Sequence, residues 1–202
     1  MAAAQPGQPE AVRLRMSGTT GPFRFCPRCA APLRRRRDAD GHARLTCRGC
    51  GHILYLNSKT CAGAVIVEAG RVLLVRRAAA PARGWWDIPG GFLEAGELPE
   101  VGARREVLEE TGLEVRILGL LGIFADRYRF AGINEHVLNI FYLAEPAGGK
   151  LRVGSDVTSA GWFQPSELPR RIAFAANRKA LEVWRGLVYG AASPPAVPGV
   201  VP

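Results

Sequence analysis

The stretch from residue 91 to residue 113 constrains this chain of 202 residues more than any other part of its sequence. A proline near its expected first turn and a glycine just past its end predict a helix over residues 99–111. On a helix that turns about 100° per residue, Glu106, Glu109 and Glu110 fall within one sector of about 100°. Like charges four residues apart repel each other, so this face requires compensating cations.

Cations of two kinds can compensate the acidic face. Arg105 lies four residues before Glu109 and can restrain its carboxylate, while hard oxygen ligands at this density suit Mg²⁺ or Mn²⁺. Val101 and Leu108 lie on the opposite side, and we expect them to pack the helix against a sheet. The alternative is an ordinary solvated acidic helix, which is a common feature of proteins.

The same stretch fits the signature G-x5-E-x7-R-E-U-x-E-E-x-G-U, where U is an aliphatic residue, without a break. Its positions are filled by Gly91, Glu97, Arg105, Glu106, Val107, Glu109, Glu110, Gly112 and Leu113. This signature resembles that of the Nudix hydrolase family. The resemblance covers about residues 60–189, because Trp-Asp-Ile-Pro-Gly-Gly and Gly-Trp-Phe-Gln-Pro-Ser-Glu-Leu-Pro also look like the family's framework. It implies an α/β fold, the Nudix α/β/α sandwich with a mixed sheet.

The resemblance also implies an activity, which is Mg²⁺- or Mn²⁺-dependent hydrolysis of the pyrophosphate bond of a nucleoside diphosphate linked to another moiety. By motif position, the residues implied in catalysis are Arg105, Glu106, Glu109 and Glu110. The implied ligands of the catalytic metal are the carbonyl of Gly91 and the carboxylates of Glu106, Glu109 and Glu110. Glu109 would be a ligand or a base, Arg105 would orient the cluster, and Glu97 would support it from the loop.

Four of the five cysteines form two Cys-x2-Cys pairs that are separated by seventeen residues. The four are Cys26, Cys29, Cys47 and Cys50. This spacing predicts a structural Zn²⁺ site with a closed shell of four thiolates, in a zinc ribbon over residues 22–56. A segment this short buries too little apolar surface to fold alone, so metal ligation would supply much of its stability. The alternative is two disulfides in a secreted protein.

A ribbon of this kind before the signature is similar to that of a Nudix subgroup containing dinucleotide, ADP-ribose and FAD pyrophosphatases. The NADH-cleaving branch carries a Ser-Gln-Pro-Trp-Pro-Phe-Pro run shortly after the signature, and residues 118–130 lack it. The proline typical of ADP-ribose hydrolases at about this distance is also missing. Tyr128 lies about where diadenosine-polyphosphate hydrolases place a tyrosine. The sequence therefore leaves the nucleotide substrate open.

The candidate substrate contacts outside the signature are aromatic. Trp86, Phe124 and Tyr128 could stack a base or a flavin ring, although core packing is the default role of such residues. A second carboxylate base from a later loop could be Asp156 or Glu135. Either of these could equally be an ordinary loop residue.

A run of four arginines, from Arg34 to Arg37, lies between the cysteine pairs. It could bind phosphate or nucleic acid, in keeping with the net charge of +9. The alternative, a solvated hairpin tip, is favoured because no aromatic interleaving suggests a platform for stacked bases. The chain has 24 arginines and only 3 lysines, which also fits a GC-rich genome, so charge alone says little about partners.

Stretches rich in Pro, Gly and Ala predict poorly ordered tails at residues 1–21 and 190–202. Between the ribbon and the second tail, the hydrophobic pattern predicts the elements of a domain over residues 60–189. They are strands at 62–68, 71–76, 113–124, 137–144 and 161–163 and helices at 99–111 and 173–189. The residues of the last helix expected to face the core are Phe174, Leu181, Trp184 and Val188.

Two other functions remain open: a house-cleaning pyrophosphohydrolase acting on nucleoside triphosphates, and a non-catalytic nucleotide sensor whose ribbon binds nucleic acid. The intact carboxylates disfavour the sensor. Similar Nudix pyrophosphatases are often dimers, so a homodimer is one expected assembly. No stretch approaches the roughly 18 apolar residues of a membrane span, and the start lacks a secretory signal, so we expect a cytoplasmic protein without membrane contact. Met1 and Met16 are both candidate starts.

Overall fold

The structure, a computed structural model, describes residues 23–130 and 133–190. The predicted tails, apart from Gly190, and the candidate start at Met16 lie outside these residues. The chain divides into two compact units that meet between Leu56 and Asn57. Neither of the described helices is long and apolar enough to span a lipid bilayer.

The first unit is a small ribbon built on a three-stranded antiparallel sheet. Its strands are β1 (Leu33–Arg37), β2 (Ala43–Cys47) and β3 (Ile53–Leu54). Leu33 and Leu45 are buried together with Cys26 and Cys47. Because this cluster is so small, hydrophobic burial alone is a weak source of stability for the ribbon.

Nine further elements lie in the described part of the second unit. They are β4 (Lys59–Glu68), β5 (Arg71–Arg77), β6 (Trp86–Asp87), β7 (Gly90–Phe92), α1 (Pro99–Thr111), β8 (Leu113–Phe130), β9 (Ile133–Gly149), β10 (Val157–Phe163) and α2 (Ala175–Tyr189). The predicted hairpin between β4 and β5 is confirmed. It turns at Ala69 and Gly70, which both have left-handed backbone angles, with φ of 49° and 74°.

The strands of the second unit form one mixed seven-stranded sheet in the order β10-β5-β4-β9-β8, with β6 paired to β5 and β7 paired to β4. The β4–β9 pair is parallel and the other pairs are antiparallel. Side chains alternate between the two faces of this sheet. Val72 lies in the cluster that contains Trp184 of α2, whereas its neighbour Leu73 lies in the cluster that contains Val107 of α1. One helix therefore covers each face, and the predicted α/β/α sandwich is confirmed.

Helix α1 packs through a different face from the one expected. Val101 and Leu108 are 54% and 45% exposed, so the prediction that they pack against the sheet is wrong. The buried residues of α1 are Gly102, Ala103, Val107 and Thr111. Because these side chains are small, the helix lies close to the sheet. The carboxylates of Glu106 and Glu110 therefore border the buried stripe instead of opposing it.

The β8–β9 hairpin is longer than the strands predicted at 113–124 and 137–144. The antiparallel ladder continues through pairs such as Tyr128 and Glu135, which lie beyond the apolar part of each strand. These outer residues are largely polar, so the hydrophobic pattern did not reveal them. Strand β10 likewise begins at Val157, before the predicted start at residue 161.

Helix α2 begins at Ala175, two residues later than predicted. Phe174 precedes the helix with φ of 58°, in the left-handed region, and lines the pocket described below. The prediction that Phe174 is a core residue of the helix is therefore wrong. Leu181 and Trp184 are buried as predicted, whereas Val188 is exposed.

Candidate active site and metal centres

The four ribbon cysteines converge at one point. Their sulfur atoms all lie within 4.8 Å of one another, with 3.8 Å between Cys26 and Cys50 and 3.4 Å between Cys29 and Cys47. Four thiolates around a tetrahedral Zn²⁺, at about 2.3 Å each, would lie about 3.8 Å apart. All four are free cysteines, so the structure does not support the disulfide alternative. The donor set and spacing fit a closed Zn²⁺ site.

Backbone amides prepare one of these sulfurs for a metal. The amides of Cys50 and Gly49 donate to the Cys47 sulfur at 3.4 and 3.3 Å. The Cys50 amide is the largest influence, and together with the Gly49 amide and neighbouring thiols it lowers the pKa of Cys47 to about 6. The thiolate is the metal-binding form of cysteine. The turn between Cys47 and Cys50 therefore favours metal binding by the Cys47 thiolate.

Arg105 connects the helix α1 carboxylates to the preceding loop. Its Nε and Nη2 each donate to one carboxylate oxygen of Glu97, both at 2.8 Å. Its Nη1 donates to Glu106 at 2.8 Å and to Glu109 at 3.3 Å, and Nη2 also reaches the Phe92 carbonyl at 3.2 Å. The Arg105 hydrogen bonds lower the pKa of Glu97 to about 2. The structure therefore brings these predicted residues together.

Glu106 and Glu110 meet the backbone of Gly90 and Gly91, and we call these residues the pocket floor. The Gly90 amide donates to Glu110 Oε2 at 3.1 Å. A Cβ atom at position 91 would lie 2.5 Å from Glu106 Oε1, so any residue other than glycine would displace this carboxylate. The two glutamates lie one helical turn apart, which directs both carboxylates to the same strand, β7.

The electrostatics of the floor fit a divalent cation. Burial, followed by the charge of Asp87, raises the pKa of Glu110 to about 8. Burial also raises the pKa of Glu106, although Arg105 opposes the shift. Within residues 23–130 and 133–190, no arginine or lysine forms an ion pair with Glu110. Two buried carboxylates that lack enough compensating charge from the protein are suited to Mg²⁺ or Mn²⁺.

A pocket of about 430 Å³ opens above the floor, and Glu106, Glu110 and Tyr128 line it. Tyr128 contacts two further lining residues. Its ring packs edge-on against Phe92, with centroids 5.8 Å apart, and stacks on Phe174, with centroids 5.6 Å apart. We call these three residues the aromatic wall.

The other two predicted substrate contacts lie elsewhere. Trp86 packs edge-on against Phe163, with ring centroids 4.8 Å apart, and Phe124 packs beside Phe141 at 6.1 Å. Both rings pack against the core cluster under α2, and neither belongs to the described lining of the pocket. The structure thus corrects the prediction for Trp86 and Phe124, because core packing takes their rings.

A buried polar group of the pocket escaped the sequence prediction. Arg77 Nη1 donates to Asp87 Oδ2 at 2.8 Å, and Asn177 Nδ2 donates to the other oxygen of Asp87. Burial raises the pKa of Asp87 to about 6, although Arg77 opposes the shift. Arg77 also lies over the Phe174 ring, 5.0 Å from its centroid. An acid three residues before the Gly-Gly pair, within Trp-Asp-Ile-Pro-Gly-Gly, was the available signal for Asp87, whereas nothing local marked Asn177.

The two candidates for a second base lie in different surroundings. Asp156 lines the pocket, and its backbone carbonyl accepts the Ala78 amide at 2.9 Å. Glu135 is paired with Lys59 at 3.0 Å and does not belong to the described lining. The geometry therefore favours Asp156 over Glu135 as a pocket carboxylate.

Two family models match the chain, and together they cover both units. A model described as NUDIX domain matches residues 58–183. A zinc-ribbon model described as Nudix N-terminal matches residues 24–56. The first match alone extends over more than half of the chain.

Several known proteins are similar to this chain. A MutT-like protein of Streptomyces ambofaciens is 38% identical over 65% of this chain and 79% of the relative. An ADP-ribose pyrophosphatase of Methanocaldococcus jannaschii is 34% identical over 58% of this chain and 68% of the relative. The NAD-capped RNA hydrolase NudC of Chromobacterium violaceum is 35% identical over 72% of this chain, which spans 52% of that relative. The crystal structure of a NUDIX hydrolase from Nitrosomonas europaea is 29% identical, with a TM-score of 0.71 over 83% of this chain and 94% of that one.

Proposed function

Because the chain belongs to the Nudix hydrolase family, we propose that it is a divalent-metal-dependent pyrophosphatase acting on a nucleoside diphosphate linked to another moiety. ADP-ribose, FAD and dinucleotides are the proposed substrate class. The observation that carries the proposal is the convergence of Glu106 and Glu110 on the Gly90 and Gly91 backbone at the pocket floor. A diphosphate bears several negative charges, and this floor is where a cation would meet them.

We assign the catalytic metal to Glu106, Glu110 and the Gly91 carbonyl, with Glu109 at the rim as a further ligand or the base. When bound, Mg²⁺ or Mn²⁺ neutralises the diphosphate, aligns the phosphoryl group and acidifies a water molecule. Arg105 positions Glu106, and its bidentate pair with Glu97 fixes the guanidinium plane. Carboxylates that are already in place need little reorganisation during the reaction.

Two carboxylates are proposed as acceptors of the proton from the attacking water. The Glu109 side chain is 58% exposed and lies 3.3 Å from Arg105 at the rim, whereas Asp156 lines the pocket itself. A general base contributes about 10²–10⁴ in rate. Glu109→Gln and Asp156→Asn therefore distinguish the two, because the variant that removes the base should lower kcat by that factor while metal affinity stays unchanged.

We propose that the aromatic wall binds the base of the nucleotide. Phe92, Tyr128 and Phe174 present a continuous aromatic surface in the pocket. Stacking on such rings accepts any planar heterocycle, which suits adenine or flavin. Similarity to an ADP-ribose pyrophosphatase supports an adenine-containing substrate.

The four ribbon cysteines are proposed to hold a structural Zn²⁺. All four ligand positions are filled by protein sulfur, so no open position is left for chemistry. Zinc removal should therefore unfold the ribbon. Proteolysis of the ribbon after chelation, with metal analysis before and after, checks this assignment.

The proposed activity is tested with a substrate panel in Mg²⁺ and in Mn²⁺, with chromatography of the released nucleotides. The panel contains ADP-ribose, FAD, NADH and diadenosine polyphosphates. We expect nucleoside monophosphate from at least one of them, with a large loss in Glu110→Gln. The matched control is Glu100→Gln, an exposed acid in the first turn of the same helix. Absence of any monophosphate release, or equal rates in both variants, would contradict the proposal.

A second candidate is the hydrolysis of nucleoside triphosphates, which the similarity to a putative 8-oxo-dGTP diphosphatase of Bacillus subtilis supports. The same floor would serve that reaction, since it also attacks a phosphoric anhydride. The products separate the two candidates: pyrophosphate together with a monophosphate identifies a triphosphate substrate. Triphosphates therefore belong in the same panel.

A further inference from the structure

The ribbon carries most of the uncompensated charge of the chain. Residues 23–56 contain eight arginines, no lysine and two aspartates, a formal charge of +6 out of +9. Residues 57–202 contain 17 basic and 15 acidic residues, a charge of +2 over a segment four times as long. A GC-rich genome would enrich arginine in both units, so it does not explain this imbalance. Even with Zn²⁺ and four thiolates, which together add −2, the ribbon stays at +4.

Strand β1 displays part of this charge at an edge of the ribbon sheet. Leu33 is buried, and each of the four arginines after it is exposed. Because side chains alternate, Arg34 and Arg36 lie on one face, while Arg35 and Arg37 share the face of Leu33. Alternate residues of a strand are about 6.8 Å apart. This spacing is comparable to that of successive phosphates along an extended single strand.

An aromatic ring continues the face of Arg34 and Arg36 across the sheet. Strand pairing places Arg36 directly opposite Arg44. Tyr55 follows β3, and the Arg44 guanidinium lies 5.1 Å from its ring centroid. Tyr55 is 56% exposed, so its ring can accept a further stacking partner. The sequence shows no aromatic residue interleaved with the arginines, whereas the fold brings Tyr55 beside Arg44.

We propose that the basic face, formed by Arg34, Arg36, Arg44 and Tyr55, binds a single strand of nucleic acid. The arginines contact phosphates, and Tyr55 stacks on an unpaired base, which is the combination used by single-strand binding sites. Asp38 accepts a hydrogen bond from Arg44 Nε at 3.1 Å and so orients this guanidinium toward the ring. A duplex keeps its bases paired, and a lipid headgroup or polyphosphate offers no base. This inference stands independently of the proposed hydrolysis.

The test uses the full-length, zinc-loaded chain and a fluorescent single-stranded RNA of about 12 nucleotides with a free 5′ hydroxyl. Fluorescence anisotropy from about 50 mM salt upward gives the affinity and its salt dependence. We expect Arg34→Ala/Arg36→Ala to weaken binding at least about tenfold and to reduce the salt slope by about 1.4. The matched control, Arg35→Ala/Arg37→Ala, removes the same charge from the same strand but from the other face. It should weaken binding much less.

Tyr55→Leu tests the stacking contact separately from charge. It should weaken binding about fivefold or more while leaving the salt slope unchanged. Zinc content and circular dichroism establish that each variant is folded. The proposal would be overturned by equal losses in the two double variants, or by no binding at about 50 mM salt. Equal affinity for duplex RNA, polyphosphate or phosphatidylserine vesicles, with no effect of Tyr55→Leu, would overturn it as well.

Discussion

The floor and the aromatic wall of the pocket are assembled in different ways. The floor comes from one contiguous stretch, since Gly91 belongs to β7 and Glu106 and Glu110 belong to α1, the next element in the chain. The wall joins rings that are far apart in sequence, among them Tyr128 and Phe174. Local sequence therefore determines where a metal and a diphosphate would lie. Tertiary structure determines which base can accompany them.

The largest effect should follow from a change in the floor. Glu110→Gln keeps the size of the side chain but removes the negative charge of a carboxylate that we propose as a metal ligand. We expect kcat to fall by about 10³-fold, in the range seen when one preorganised electrostatic group is lost. Steady-state kinetics with the substrate identified by the panel measure this. A variant with more than a tenth of the wild-type kcat would show that the floor is not the catalytic centre.

A smaller effect is expected one step away from the floor. Arg105→Lys keeps the charge but loses the bidentate contact with Glu97 and one of the bonds that orient Glu106. Outer-shell changes of this type cost about 10–100-fold in metal affinity or activity. Activity measured against Mn²⁺ concentration should show a raised metal requirement. An unchanged requirement would mean that Arg105 does not position the ligands.

Changes in the aromatic wall should affect binding more than chemistry. Tyr128→Leu removes a ring of the wall, and we expect KM to rise about tenfold with kcat largely retained, since one stacked base is lost. Phe124→Leu is the matched control, because its ring packs beside Phe141 outside the wall. If both variants raise KM equally, the effect is one of packing, and the wall is not the site of the base.

The smallest effect concerns stability and its pH dependence. Burial raises the pKa of Glu110 to about 8 and that of Asp87 to about 6, whereas in an unfolded chain both are near 4. The folded, metal-free protein therefore binds these protons more tightly, and its free energy of unfolding should fall as pH rises from about 4 to about 8. Mg²⁺ should raise Tm more at pH 8 than at pH 5.

Thermal unfolding at constant ionic strength measures this pH dependence. In Glu110→Gln, the fall in stability between about pH 6 and pH 8 should disappear, because glutamine has no proton that titrates in this interval. If metal-free wild-type protein and Glu110→Gln show the same change of Tm over this interval, Glu110 does not titrate as its burial indicates.

The contrast between the locally encoded floor and the wall assembled by the fold also explains how much of the structure could be predicted from the sequence. The helix over residues 99–111 and the hairpin at Ala69 and Gly70 were predicted because turn residues and periodicity mark them locally. The packing face of α1 was predicted wrongly, since apolar Val101 and Leu108 are exposed while small Gly102 and Ala103 are buried. Hydrophobicity does not reveal a helix that packs through its smallest side chains.

The residues of the wall had no comparable local signal. Trp86 and Phe124 look as suited to a base as Tyr128 does, and only the fold separates core rings from pocket rings. Phe174 precedes α2 with φ of 58°, a conformation that its sequence does not announce. Asn177 reaches Asp87 from a helix ninety residues later in the chain. Long-range pairing of this kind is decided by tertiary packing.

Glu106 and Glu110 are proposed to form one divalent-metal site with the Gly91 backbone. Electron paramagnetic resonance of Mn²⁺ measures free and bound metal directly, without a substrate. We predict a tight Mn²⁺ site in wild-type protein and in Glu100→Gln that is lost in Glu106→Gln/Glu110→Gln. Undiminished Mn²⁺ binding by the folded Glu106→Gln/Glu110→Gln variant would contradict the account.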